Sequence, residues 1–235
     1  MQYAKTIVKA IEQGLSSAQI NRIEEGLSFN NLNWNYNYNY IFSYVKQNID
    51  DEDLGLEVRE FRRCSYSMPC IYDRERKTLF TIISKSKFEV LRSRRVIEKP
   101  HYTDAFCLLS KEEGSYKQLN MFGEEVETAE LNTLQDLLTQ LTRYLDKSFD
   151  IDKYALITCD IDHKRCQLND INVNYLSKHY DVLKTDTSWN KYININYSSL
   201  FEDKYNNGEE FEVTIALKQP EIKLKTNNEE LIIKP

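Results

Sequence analysis

The sequence predicts an α+β fold: a mixed, mainly antiparallel sheet with an N-terminal helical portion and one long central amphipathic helix. Three observations predict it. Ala4, Ile7, Val8, Ile11 and Leu15 recur at helical spacing. Leu131, Leu134, Leu138, Leu141 and Leu145 line one face of a second segment. Elsewhere lie short β-branched and aromatic runs bounded by polar turns.

In chain order, the first helix is expected to be interrupted or ended by Gly14. Ser16 with Gln19 three residues on has the form of a capping box. It predicts a second short helix over residues 17–25, stopped at Gly26. Two short helices at this spacing resemble a helix-turn-helix, but no basic face follows them, and packing is the simpler role. Over residues 30–39 Asn alternates with aromatics, which predicts an extended segment with Trp34, Tyr36, Tyr38 and Tyr40 on one face. Such a face is either a stacking platform for bases or a covered aromatic surface, and the second is the more common. Ile41, Tyr44 and Val45 read as helix up to Asn48, before an acidic turn at Asp50-Asp51-Glu52-Asp53.

Met68–Tyr72 and Thr78–Ser84 read as strands of a hairpin joined by Asp73-Arg74-Glu75-Arg76-Lys77. Phe88 and Leu91 suit a short basic helix, ended by Pro100, which restricts Lys99. Ala105–Leu109 reads as a strand. The leucine helix is expected from a Thr128 cap to about Lys147, with Arg143 and Lys147 complementing its carboxyl end. Tyr154–Thr158, Cys166–Val173, His179–Leu183, Tyr192–Tyr197 and Phe211–Leu217 read as strands, with a turn over Asp160–Lys164 and a small hairpin near Thr226.

With 235 residues the chain suits one large domain or two small ones. The reading is a helical portion over 1–50 and an α+β body over 51–235, or a single domain over 1–235. Hydrophobic residues at 41% and charged residues at 29% exclude a chain disordered throughout. The start, Met1-Gln-Tyr-Ala-Lys-Thr, lacks a basic region followed by an apolar one, and the five cysteines are an odd number. A reducing cytoplasm with free thiols is expected. No apolar run suits a membrane-spanning helix, so no membrane partner is expected.

The net charge of −6 is unevenly spread. From Glu57 to Tyr102 there are 12 Lys and Arg against 6 Asp and Glu, a net of +6. The rest carries 19 against 31, a net of −12. Arg59, Arg62 and Arg63 precede the hairpin, Arg74, Arg76 and Lys77 sit in its turn, and Lys85, Lys87, Arg92, Arg94 and Arg95 follow. If the strands align, these side chains make one surface able to neutralise phosphates of DNA or RNA. The plainer outcome is a solvated face balanced by Glu75, Glu89 and Glu98.

Gln118-Leu119-Asn120-Met121-Phe122 is the most specific short motif. It resembles the peptide by which bacterial replication and repair proteins dock on the sliding clamp, roughly Gln-Leu-(Ser/Asp)-(Leu/Met)-Phe. In such a peptide Leu119, Met121 and Phe122 would fill an apolar cleft while Gln118 fixes the register at its rim. The alternative is that the same side chains pin their loop to the domain core.

Other chemistry is weakly signalled. Cys159, His163 and Cys166, with His179 as a fourth candidate, lack regular zinc-site spacing, and strand alternation turns Cys159 inward. No metal is expected. Phosphate-binding, dinucleotide-binding and nucleophile-elbow motifs are all missing, and no cofactor is expected. Glu57, Asp73 and Lys85 loosely suggest a metal-dependent nuclease, without the usual Glu-x-Lys pair.

Several segments together resemble a family of uncharacterised bacterial, plasmid and phage proteins known only as a domain of unknown function. They are the aromatic run into Tyr40-Ile41-Phe42, then Ile71-Tyr72-Asp73 with Leu79-Phe80-Thr81, then His101-Tyr102-Thr103-Asp104-Ala105. The Gln118–Phe122 segment and the Tyr154–Tyr192 region around Trp189 belong to the same pattern. The resemblance spans about residues 30–195 and implies a cytoplasmic accessory protein of mobile elements. It supplies no reaction and no catalytic residues. The function expected is a non-enzymatic regulatory or defence protein that binds the sliding clamp or another replication protein, and nucleic acid through residues 59–95. A nuclease or toxin-like effector and an acidic antitoxin covering a basic partner are the alternatives. The sequence sets no oligomeric state.

Overall fold

The structure is a computed structural model, and it describes residues 2–26, 34–49, 54–63, 66–93, 100–111, 129–143, 145, 149–163, 165–178 and 180–194. Among these a six-stranded sheet runs in chain order. Its strands are β1 (Leu56–Arg63), β2 (Tyr66–Asp73), β3 (Thr78–Ser84), β4 (Lys153–Asp162), β5 (Gln167–Leu176) and β6 (Val182–Asp186). Neighbours are antiparallel except β3 and β4, which run parallel with Thr78 opposite Lys153. A parallel pair needs a crossover. The chain supplies it with α3 (Lys85–Arg92), α4 (Tyr102–Cys107) and α5 (Ala129–Thr142).

The sheet is therefore the middle of three layers. On one face, α1 (Gln2–Glu24) and α2 (Trp34–Asn48) close a core over Ile71, Phe80, Ile82, Ala155, Ile157, Ile171 and Val173. On the other, the crossover helices bring Phe88, Leu91, Phe106 and Leu141 onto Phe61, Leu79, Ile83, Tyr154 and Leu156. Central strand β3 is buried at every position, as expected for a strand covered on both faces. The α+β class read from the sequence is the observed one.

Four local readings are corrected. Residues 2–24 form one helix, not two. Gly14 lies inside it because a Cβ there would stand 2.6 Å from the Ile41 Cα, so glycine lets α1 and α2 touch backbone to backbone. Ser16 does not cap a helix; its hydroxyl donates to the Glu12 carbonyl at 3.0 Å. The Asn-aromatic run is helical from Trp34. Tyr38, Ile41, Val45 and Ile49 are buried at helical spacing, and Tyr36–Tyr40 and Tyr38–Phe42 are neighbours one turn apart. An alternation of period two places aromatics four apart as well, and burial of the helical stripe decides between them.

Where a strand was expected over Ala105–Leu109, residues 102–107 form a helix: His101 caps the first turn, and its own N–H donates to Asp104 Oδ2 at 2.6 Å. All six residues are buried, which gives a helical turn the apolar look of a strand. Finally, Ser188–Tyr192 form a 3₁₀ helix where a strand was expected to begin at Tyr192. Strand β1 was not anticipated; its charged residues mask the alternation that buries Leu56 and Phe61. Helix α5 stops at Thr142, short of Lys147. Thr128 and residues 195–235, with the strands expected there, lie outside the described residues.

Candidate anion-binding recess

Five of the eight basic residues singled out in the sequence whose side chains are described meet a local carboxylate. Arg59 pairs with Glu57, and Arg74 donates Nε at 3.0 Å and Nη2 at 2.6 Å to the same Glu57 carboxylate. Lys77 reaches Asp150 at 2.5 Å, and Lys85 reaches Asp170 at 3.2 Å. Arg62, Lys87 and Arg92 are exposed. The side chain of Arg63, and Arg94 and Arg95 altogether, lie outside the described residues, as do Gln118, Leu119, Met121 and Phe122. The structure thus divides the paired basic residues among several separate carboxylates.

Arg76 meets the most deeply buried of these carboxylates, that of Asp73. Its backbone N–H and its Nη1 donate to the two oxygens of Asp73, at 2.9 Å and 2.8 Å. Asp73 ends β2 and is fully buried. The guanidinium also lies over the Tyr3 ring, 4.5 Å from its centre. Burial, with the Tyr175 phenol adding to it, pushes the Tyr3 hydroxyl up to about 12, so it stays neutral. Arg76 is held by a buried carboxylate on one side and an aromatic face on the other, and its Nε and Nη2 make no hydrogen bond among the described residues.

Arg76 opens onto a recess of about 330 Å³ lined by Arg76, Thr78, Lys153, Tyr175 and Lys184. Sheet register brings them together. Thr78 faces Lys153 across β3 and β4, and Tyr175 faces Lys184 across β5 and β6. Ala155 pairs with Tyr175, so Lys153, two residues before it, is on the same face and diagonal to Tyr175. The recess lies on the α1–α2 side, at the end of the sheet where β3 and β4 begin.

Among the described residues, three cations and no carboxylate line this recess. Of the nearby described acids, Asp73 is engaged by Arg76, Glu75 also lies 3.9 Å from Arg76 Nη1, and Asp150 and Asp152 are engaged by Lys111, at 2.7 Å each. Hydrogen bonds from Lys111 and Lys77 pull the Asp150 carboxyl down to about 2. Asp186 is opposed by burial but kept below the ordinary carboxylate value by hydrogen bonds from Ser188, with Lys184 and Lys191 adding to the effect. Lys184 stands 6.0 Å from the centre of the Tyr175 ring, and its amino group makes no hydrogen bond among the described residues. Such a lining suits an anion, and among the described residues it holds no nucleophile–base pair.

The family is decided by the chain as a whole. A model of a family described as "Family of unknown function (DUF5986)" matches residues 1–234. The chain belongs to that family. All five lining residues of the recess lie within the match, and so do the N-terminal helices and nearly all of the tail, beyond the stretch of 30–195 that carried the resemblance. No curated protein and no solved structure matches this DUF5986 chain.

Glu57, Asp73 and Lys85 are each held by a different ion pair. No three His, Cys, Asp or Glu converge on a metal position among the described residues, and His179 is outside them. Cys159 is sealed in the core. Cys166 lies 3.7 Å from Arg22 Nη1 and 3.8 Å from Asn37 Oδ1, while Asn37 Nδ2 contacts His163 Nδ1 at 3.0 Å. Because the amide nitrogen is a donor, His163 Nδ1 accepts, and burial lowers the ring's pKa. None of the described helices is long and apolar enough to cross a membrane. Sequence reasoning reached Arg76 but missed Lys153, Tyr175 and Lys184. The strands that carry them were partly legible, but their mutual register was not.

Proposed function

We propose that this chain is a non-enzymatic interaction protein that takes a nucleic-acid partner at the recess. The observation that carries the reading is the trio Arg76, Lys153 and Lys184 around one opening, with no carboxylate among the described residues of its lining, in a chain whose net charge is −6. Local concentration of positive charge on an acidic protein marks where a polyanion is accepted and the rest of the surface where it is repelled. Arg62, Lys87 and Arg92 supply further exposed cations for steering.

Fluorescence anisotropy with a labelled single-stranded oligonucleotide tests this. Binding at low salt should weaken as salt rises, with a log–log slope of about −0.7 per phosphate contacted. The Lys153→Ala/Lys184→Ala chain should bind at least tenfold more weakly. Unchanged affinity in that variant would reject the recess as the contact.

The pentapeptide Gln118–Phe122 adds a second contact to the proposal, docking on a bacterial sliding clamp in a cytoplasmic, mobile-element or defence setting. Its support is the sequence match alone. Co-elution with purified clamp, lost on changing Gln118, Met121 and Phe122 together to Ala, is the expected result; co-elution that survives the change would dismiss it.

A further inference from the structure

We draw no further inference here: the strongest candidate, the side-chain cluster of Lys85, Asp160 and Asp170 at the carboxyl ends of β3 and β4, is closed on itself by ion pairs from Lys85 at 3.2 Å and 3.9 Å, and no second feature among the described residues points to a ligand there.

Discussion

Arg76 and Tyr3 are stacked, the guanidinium carbon 4.5 Å from the ring centre, and this contact ties the first turn of α1 to the β2–β3 turn. The two groups are 73 positions apart in the chain. Tyr3 also meets Trp189 edge-on at 5.7 Å. The N-terminal helix, the hairpin turn and the 3₁₀ helix after β6 thus share one aromatic junction beside the recess.

Arg76→Ala should destabilise the fold by about 2 kcal/mol, because it removes a partner from buried Asp73. The figure is set below the cost of breaking a fully buried pair because the arginine side chain is 44% exposed and Asp73 keeps a backbone N–H. The double variant Asp73→Asn/Arg76→Ala should recover part of the loss, since a neutral amide is easier to bury. Urea titration of the single and double variants measures this. Equal loss in both would show that the carboxylate charge is not what Arg76 answers.

Gly14→Ala should be more harmful than its gain in helix propensity suggests. The added Cβ would lie 2.6 Å from Ile41 Cα and 2.8 Å from Ile41 N, both backbone atoms that cannot rotate away. Helices α1 and α2 must separate, loosening the packing of Ile11 and Leu15 with Ile41 and Val45 in their shared core. A net loss of about 2–3 kcal/mol is expected, seen as a fall in Tm of roughly 5–10 °C in a thermal melt. A Tm that holds or rises would refute the close approach.

The same glycine shows where sequence reasoning reached its limit. Within one helix Gly14 resembles a terminator, and only the helix crossing it explains why it is interior. Elements whose pattern reflects their own burial were legible: β2, β3 and their turn, the apolar part of α1, and α5. Helix α4 was misread because both faces are buried, leaving no periodicity to separate helix from strand. Strand β1 was missed because edge position allows Arg59 and Arg62 beside Phe61. The recess was legible at Arg76 alone. Lys153, Tyr175 and Lys184 join it through the register of three strand pairings, which local sequence does not specify.

The thiols of Cys70, Cys107, Cys159 and Cys166 should be inert in the native protein. All four are buried and free. Burial pushes the Cys70 thiol up to about 12 and raises the other three, with Arg22 only partly opposing the rise at Cys166. In a Cys64→Ser chain, Ellman's reagent at pH 8 should release no colour until denaturant is added, and then four equivalents. A thiol that reacts in the native chain would identify an opening that these contacts do not allow.

Glu12 should make stability fall as pH rises. Its carboxylate is buried, accepts the Asn194 N–H at 2.6 Å and borders a void of only about 10 Å³, too small to hydrate a charge. Burial raises its pKa above the ordinary carboxylate value, and the Asn194 bond only partly offsets this. Between the unfolded and folded values the native state holds the extra proton. Its contribution is therefore fully present below the unfolded value and is lost as pH climbs through the folded one. Glu12→Gln keeps an oxygen for Asn194 and removes the charge. That variant should melt higher than the parent at pH 7.5, and the two should converge below about pH 4, where the unfolded carboxyl is also protonated. A variant less stable than the parent at pH 7.5 would mean that the charged hydrogen bond to Asn194 outweighs the cost of burying Glu12.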